Sequence, residues 1–388
     1  MNGLRILSRC SQLDTITLPR LPSSKYLAIV PSTAITITRQ MSSKTKDSVP
    51  HEVRTAAEPR QNRLYNVRLS HIEQVTASVR LLQLTIPPHV QSLEAQNRES
   101  GDPNHPQPLT FLPGQWLDVH IPSISNAGGF SITSTPADAQ VLPSPEPPTV
   151  GGSVEETGLP PLDPRGRAPY IELAVQYAPS NPASAWLWKN EEDILGKELS
   201  IRVGGSFVWP PSKVEPASIK NIVLIAGGVG INPLISILSH LNNNNETTNT
   251  LYHPSHIHIL YSTRLPNTNN APGASSESAL DRILFVPRLR QIIQCQSQSH
   301  RLQISLDLFI TNLPDNSHLP TASPSELKIH SKRIAQDDIQ KAIAGADNTL
   351  QPDETVCYLC GPPKMTDEMV GGLRELLGED RVFFEKWW

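Results

Sequence analysis

The chain is poor in the features of secreted disulfide-rich proteins, membrane proteins and nucleic-acid-binding proteins. It has four cysteines in 388 residues, too few and too scattered for a secreted disulfide framework. No apolar run approaches the roughly 20 residues that a transmembrane helix needs. The net charge is −4, which gives no indication of a nucleic-acid partner. Length and composition together predict two domains in a reducing compartment, with no transmembrane segment.

Residue sets for catalysis without a cofactor are also missing. The 12 histidines show no metal-ligand spacing, and His256 and His258 alternate on one predicted strand without a third partner. Cys357 and Cys360 form a C-x-x-C pair, but on a strand they face opposite sides, and no second pair exists. No Ser-His-Asp set is evident. We therefore predict no bound metal and no dithiol chemistry.

Proline is abundant, with 37 residues, and it clusters in two polar stretches without periodicity. Residues 88–109 and 141–169 are predicted to be surface insertions. Residues 1–45 are rich in Arg, Ser and Thr and contain a single acid, Asp14. That composition predicts a mitochondrial transit peptide. The alternative is a disordered tail that carries no address.

The first domain is predicted to span residues 62–214 and to be an antiparallel barrel. Its segments are short, alternate between apolar and polar residues, and are separated by turns. One short helix is expected from Ser184 to Trp188. The predicted strands are 64–69, 79–86, 111–122, 128–134, 170–177 and 198–203.

The second domain, residues 218–388, alternates strands with helices, which predicts a parallel sheet covered by helices on both faces. Ligands of such sheets bind beyond the carboxyl ends of the strands. A helix over 279–293 is expected to bend at Pro287. The predicted strands are 221–226, 256–262, 302–311, 355–360 and 382–384, with further helices at 337–344 and 365–376.

The most informative stretch is residues 221–234, where a buried strand breaks into three glycines and continues as a helix. We expect Asn232 to be the N-cap and Pro233 the first helical residue. A helix N-terminus after a glycine turn suits a pyrophosphate, and three glycines favour a ligand that approaches closely. The alternative is a tight turn without a ligand. The spacing differs from the Rossmann fingerprint.

Five motifs in order resemble the ferredoxin–NADP reductase superfamily over roughly residues 62–388. The resemblance implies an N-terminal antiparallel Greek-key flavin-type barrel, followed by a parallel-sheet nicotinamide dinucleotide-binding domain. The motifs are Pro113-Gly114-Gln115-Trp116, Gly128-Gly129-Phe130-Ser131, Gly228-Val229-Gly230-Ile231-Asn232-Pro233, Cys360-Gly361-Pro362-Pro363-Lys364-Met365 and Phe384-Glu385-Lys386-Trp387-Trp388.

The resemblance implies a nicotinamide site at the carboxyl edge of the second domain. Cys360 would lie beside the nicotinamide ring. A terminal aromatic, Trp388, would cover the flavin where nicotinamide must stack. The implied cofactor-binding residues are Gly227, Gly228, Val229, Gly230, Ile231, Asn232, Gly361, Pro362 and Met365.

On the flavin side the superfamily has Arg-x-Tyr-Ser/Thr, whereas this chain has Gly128 in place of the arginine. Phe130 would stack on the flavin and Ser131 would bond its N5 edge. The hydroxyls of Thr133, Ser134 and Ser184 complete the implied flavin site. The missing arginine removes a contact to the FAD diphosphate worth about 1.5–3 kcal/mol. FAD is expected, bound weakly or differently, or replaced by a smaller flavin.

These features predict an NAD(P)H-dependent flavoprotein oxidoreductase that passes a hydride to FAD and electrons to an unknown acceptor. Arg264 stands alone where relatives contact an adenosine 2′-phosphate, which favours NADH over NADPH. The alternative function is a non-catalytic NAD(P)(H)-binding protein that has lost flavin binding. The third possible function, ranked last, is that of an interaction factor that acts through the proline-rich insertions.

Overall fold

The structure is a computed structural model that describes residues 49–87, 108–140, 168–243, 251, 255–266, 279–313, 327–345 and 351–386. The predicted transit peptide, almost all of both insertions, and Trp387 and Trp388 lie outside these residues. Among the described residues, no helix combines the length and the apolar character needed to cross a membrane.

The first half forms a six-stranded antiparallel barrel. The strand order is β4-β3-β6-β1-β2-β5, and a bridge between Ile132 and Leu173 closes the ends. This order, in which β6 lies between β3 and β1, is a Greek-key arrangement. The strands are β1 (Tyr65–Thr76), β2 (Val79–Thr85), β3 (Trp116–His120), β4 (Gly128–Ser131), β5 (Tyr170–Gln176) and β6 (Glu198–Gly204).

Alternation along these strands fills the barrel. Leu117 and Val119 of β3 are buried inside it, so Trp116 and Asp118 point outward. The predicted short helix is present as α2 (Pro182–Leu187). Two single-turn helices were not predicted: α1 (His51–Arg54), which precedes β1, and α3 (Glu191–Ile194).

The second half is a six-stranded parallel sheet with strand order β10-β9-β8-β7-β11-β12. Every residue of the central strand β7 is buried, as expected for a strand covered on both faces. The strands are β7 (Asn221–Gly227), β8 (Ser255–Thr263), β9 (Leu302–Ile310), β10 (Leu327–His330), β11 (Thr355–Cys360) and β12 (Val382–Glu385).

In the part of this domain that the structure describes, four helices of nine or more residues cover the two faces of the sheet. Helices α4 (Ile231–Asn242) and α5 (Val286–Ser299) pack on one face. Helices α6 (Gln336–Ala344) and α7 (Pro363–Leu377) pack on the other. The fold class predicted from the sequence is therefore confirmed.

Two details of the sequence prediction are wrong. Pro287 does not bend a helix; it lies in the first turn of α5, where the missing proline N–H would have no intrahelical partner. The edge strand β10 was not predicted. It has only four residues, Leu327–His330, too few for a strand period to be visible.

Residues of the barrel strands and of the segment after β6 pack in one hydrophobic cluster with a face of the sheet, apart from the core inside the barrel. Phe207 and Trp209, which follow β6, pack against Tyr358 of β11 with ring centroids 5.3 and 6.0 Å away. The Tyr358 hydroxyl donates to the Val208 carbonyl oxygen at 2.9 Å. These contacts place the carboxyl edge of the sheet beside the end of the barrel.

Candidate active site

The glycine loop joins β7 to α4. Strand β7 ends at Gly227, residues 228–230 make one 3₁₀ turn, and α4 begins at Ile231. The sequence predicted that Asn232 caps the helix, and this prediction is wrong. Gly230 occupies the N-cap, and Pro233 is the third helical residue. The 3₁₀ turn replaces the side-chain cap, since it continues directly into the α-helix. The Ile231 N–H is paired within this turn, since it donates to the carbonyl oxygens of Gly228 and Val229.

Two of the three glycines serve packing within the protein. A Cβ on Gly230 would lie 2.2 Å from the Cys360 carbonyl oxygen, and one on Gly227 would lie 2.5 Å from Pro362 Cδ and 2.7 Å from Met365 Sδ. The loop after β7 and the loop after β11 are therefore in direct contact. These residues therefore close the back of the predicted nicotinamide site at the carboxyl edge of the sheet.

Gly228 is the glycine that faces outward. Its φ is +56°, a left-handed conformation that favours glycine, and a Cβ there would meet nothing within 4 Å. Val229 beside it is partly exposed. The tip formed by these two residues is the part of the loop that a dinucleotide can approach.

Asn232 links the glycine loop to the barrel. Its Nδ2 donates to the Ala174 carbonyl oxygen of β5 at 2.9 Å, and its Oδ1 is buried without a hydrogen-bond partner among the described residues. Ser236, one turn further along α4, donates to the Ser134 carbonyl oxygen at 2.7 Å. These two bonds fix the start of α4 against β5 and the segment after β4.

Cys360 ends β11, between β7 and β12, at the carboxyl edge of the sheet. It is 1% exposed and pairs with Ala226 of β7 and Glu385 of β12. Alternation places its side chain on the face of Tyr358 and that of Cys357 on the opposite face, as predicted. Burial raises the pKa of the Cys357 thiol, which makes it an unreactive core residue.

Glu385, the last residue of β12, is a site residue that sequence reasoning missed. It is the register partner of Cys360. Its Oε2 is enclosed without a hydrogen-bond partner among the described residues. Burial, reinforced by the nearby Glu58 carboxylate, raises the pKa of Glu385 well above its ordinary value. A carboxyl group with a raised pKa thus lies beside Cys360. Its place in the terminal motif could have indicated it.

On the barrel, Gly128 has no room for a side chain. A Cβ there would lie 2.5 Å from Ala183 Cβ at the start of α2, and 2.6 Å from the Phe130 ring. Phe130 therefore lies over Gly128 and is partly buried against the barrel core. Ser131 is 6% exposed and ends β4. Ala183 of α2 and the Phe130 ring therefore occupy the space that the superfamily arginine would need.

The start of α2 is capped by its own sequence. Asn181 Oδ1 accepts hydrogen bonds from the N–H groups of Ala183 at 3.0 Å and Ser184 at 3.1 Å. The N–H of Ala185 donates to the Asn181 carbonyl oxygen at 2.8 Å, and Pro182 has no N–H. All the N–H groups of this first turn are therefore paired within the chain.

The three other hydroxyls of the implied flavin site also have partners within the chain. Ser184 Oγ donates to the Gln176 carbonyl oxygen at 2.8 Å and accepts from the Ala178 N–H at 3.0 Å. Thr133 Oγ1 donates to Glu172 Oε1 at 2.7 Å, and Ser134 Oγ accepts from the Glu172 N–H at 3.0 Å. These three hydroxyls hold β4, β5 and α2 together.

Comparison with known proteins identifies the family. A family model described as the ferric reductase NAD binding domain matches residues 219–272. The protein named oxidoreductase NAD-binding domain-containing protein 1 from Danio rerio is 30% identical over 340 residues, 87% of this chain and 97% of that protein. The chain belongs to this family. The five motifs, taken together, also resemble this protein.

The Homo sapiens family member is 31% identical over 287 residues, 73% of this chain and 72% of that protein. Among solved structures, a ferredoxin NADP+ reductase from Neisseria gonorrhoeae with bound FAD and NADP has a TM-score of 0.51 at 15% identity. The match covers 84% of this chain and 99% of that one. That likeness shows the fold: a reductase-type barrel followed by an NAD-binding domain.

In this family member, an ion pair joins the two domains behind the site. Arg288 of α5 donates from both terminal nitrogens to the two oxygens of Glu172 in β5, each at 2.9 Å. Glu172 is 5% exposed and also accepts from Thr133. The pair borders a cavity of about 680 Å³ between the barrel, α4 and α5 that does not include the glycine loop.

A second polar cluster covers the outer face of β3 and β4. Asp118, fully buried, bonds Arg60 at 2.9 Å and Arg202 at 2.7 Å, with His51 Nε2 at 3.1 Å. Burial alone would raise the pKa of Asp118, but hydrogen bonds from these three residues outweigh it and hold that pKa well below its ordinary value. The His51 ring lies over Gly129, where a Cβ would be 2.2 Å from it.

Asp118 also belongs to the one set of candidate metal ligands among the described residues, with Glu52 and His120, whose ligand atoms lie within 4.8 Å of one another. A cation there would face the guanidinium groups of Arg60 and Arg202, which already neutralise Asp118. The set is therefore a structural ion-pair cluster that holds residues 51–60 on the barrel.

Proposed function

We propose that this protein is an NAD(P)H-dependent oxidoreductase in which nicotinamide gives a hydride to a flavin ring held by the barrel. The observation that carries the proposal is the convergence at one sheet edge of an open, left-handed Gly228, a buried Cys360 and its register partner Glu385. Family membership and the reductase fold support it.

On the nicotinamide side, the chain's contribution is binding and positioning. The tip at Gly228 and Val229, at the start of α4, suits the pyrophosphate of a dinucleotide. Gly361, Pro362 and Met365 act indirectly, because they support Gly227 from behind. Cys360, small and polarizable, leaves room for the nicotinamide ring at the strand end.

On the flavin side, Phe130 and Ser131 are the proposed contacts to the ring. A flavin supplies the capacity to accept a hydride and to release electrons singly or in pairs. Trp388 is proposed to cover the ring face that nicotinamide takes. Glu385, whose pKa is raised by burial, places a carboxyl group beside Cys360.

We further propose NADH as the preferred donor. Arg264, which directly follows β8, is exposed, and a single exposed arginine is a weak phosphate site. A steady-state comparison of NADH and NADPH with the same flavin tests this. A lower KM for NADPH would contradict it.

The proposed activity is tested by mixing the purified protein, NADH and flavin without oxygen and following both absorption bands. Loss of the NADH band together with bleaching of the flavin band, at a rate proportional to protein concentration, is the expected result. NADH binding without bleaching would refute the reductase proposal.

That second outcome would favour a non-catalytic NAD(H)-binding protein. The specific observation in its favour is the self-capped start of α2 together with Gly128, which leaves the diphosphate of a resident FAD without its usual contacts. Retention of Phe130, Ser131 and Cys360 favours the enzyme instead.

We propose that the protein acts in mitochondria, directed there by residues 1–45. The composition of that segment supports the proposal. A fluorescent reporter carrying residues 1–45 should enter mitochondria, whereas a reporter with its arginines replaced by glutamine should not. Cytosolic fluorescence of the first reporter would contradict the proposal.

A further inference from the structure

The barrel retains the residues that would contact a flavin ring, but its described residues lack the usual contacts for the diphosphate tail. In a short helix such as α2, a diphosphate would need unpaired N–H groups at the helix start. Ala183 and Ser184 donate theirs to Asn181 Oδ1, Ala185 donates to the Asn181 carbonyl oxygen, and Pro182 has none. A diphosphate at this point would have to displace the chain's own cap.

The cationic partner of a diphosphate is also missing from β4, and the structure leaves no space to restore it. Any side chain at Gly128 would meet Ala183 Cβ at 2.5 Å. Arg80, which contacts the same helix region, lies at its other end. There it donates to the Lys189 carbonyl oxygen at 2.7 Å and stacks on Trp188, with its guanidinium carbon 4.7 Å from the ring centroid.

The ring-binding side is different, because its residues are not committed in the same way. Phe130 keeps part of its surface exposed beside Gly128, and Ser131 ends β4 next to it. An isoalloxazine ring could therefore be held by stacking and by one hydroxyl, with no charged contact. Contacts of that kind do not distinguish riboflavin from its phosphorylated forms.

We propose that this protein uses free flavin as an exchangeable second substrate, recognised through its isoalloxazine ring, and has no resident FAD. The inference rests on the proposed reductase function and names the substrate class of the same site. In the reaction the C4–H bond of NADH breaks and its hydride moves to the flavin. The flavin also takes one proton from water and leaves as dihydroflavin, carrying both electrons to the acceptor.

The test is an equilibrium titration of the full-length protein with riboflavin, FMN and FAD, followed by quenching of flavin fluorescence. The three dissociation constants should agree within about threefold, because each tenfold difference would require about 1.4 kcal/mol of tail recognition. FAD that co-purifies in stoichiometric amounts, or binds more than about tenfold tighter than riboflavin, would overturn the proposal.

A pair of variants tests the role of the cap directly. Asn181→Gly frees the N–H groups of Ala183 and Ser184 at small cost to folding and should tighten FAD binding relative to riboflavin by about tenfold. Asn181→Asp keeps the cap and adds a negative charge, so it should give no such gain. Equal FAD affinity in both variants and the parent would contradict the cap argument.

The same preparations separate this inference from the proposed function. If NADH reduces FAD but neither FMN nor riboflavin, the reductase function holds and the free-flavin inference fails. If NADH binds and reduces none of the three, the proposed function itself fails.

Discussion

Gly230 lies against the main chain of Cys360, so close that a Cβ on Gly230 would be 2.2 Å from the Cys360 carbonyl oxygen. The loop that follows β7 and the loop that follows β11 are therefore one assembled unit. Both the proposed pyrophosphate-binding tip and the proposed nicotinamide position depend on this contact.

Gly230→Ala should destabilise the protein by about 1–3 kcal/mol, because a backbone oxygen cannot move aside as a side chain can. NADH affinity should fall with it, since the loop tip shifts. Urea unfolding and NADH titration measure the two effects. Gly371→Ala is the matched control: it lies inside α7 with open space around it and should stabilise by about 0.5–1 kcal/mol. Unchanged NADH binding in Gly230→Ala would contradict the proposed site.

Cys360→Ala should lower the rate of hydride transfer while flavin binding stays unchanged, because only the nicotinamide position loses a contact. Stopped-flow mixing with NADH measures that rate. Cys357→Ala, three residues earlier on the opposite sheet face, is the control. It should cost about 1 kcal/mol or more of stability and leave the rate constant unaltered. Equal kinetic effects from both variants would show that Cys360 has no special position.

Glu385 makes stability depend on pH in a defined direction. Its pKa is raised in the folded state, so the unfolded state loses its proton first and stability falls as pH rises above about 4.5. Glu385→Gln removes this dependence. The variant should match the parent in acid and melt at a higher temperature than the parent at neutral and higher pH. A difference in Tm that stays constant from pH 4.5 to 8.5 would contradict the assignment.

Arg288→Met should destabilise the protein by about 2–3 kcal/mol, because Glu172 would remain buried without its cationic partner. Chemical unfolding should show the loss, and limited proteolysis should cleave between the domains more readily. Lys213→Met breaks an ion pair whose two side chains are each 66% exposed, so its Tm should equal that of the parent. A loss as small as that of Lys213→Met would show that the Arg288–Glu172 bond does not join the domains.

The sequence predicted most of the secondary structure because its signals are local. The alternation that makes β1 and β5, and the apolar β-branched run that makes β7, report burial directly through their periods of hydrophobicity. It failed where the local signal was short or ambiguous, at the four residues of β10 and at Pro287.

The site could be predicted only in part from the sequence. The motifs indicated that the glycine loop and Cys360 lie at one edge, since both follow parallel strands. Asn181 was not singled out from the sequence, although an asparagine directly before Pro182 is a typical N-cap. Glu385 was overlooked, because its protonation depends on neighbours that a sequence does not place.

By itself, the sequence determined the fold class, the order of the two domains and the family, because hydrophobic period and motif spacing are properties of contiguous residues. Only the tertiary structure decided that Gly227 and Gly230 serve packing while Gly228 faces outward. It also decided that α2 pairs its own N–H groups, that Glu172 bonds Arg288, and that Glu385 is enclosed beside Cys360. Each of these depends on which groups from distant parts of the chain meet, and on the water they exclude when they do.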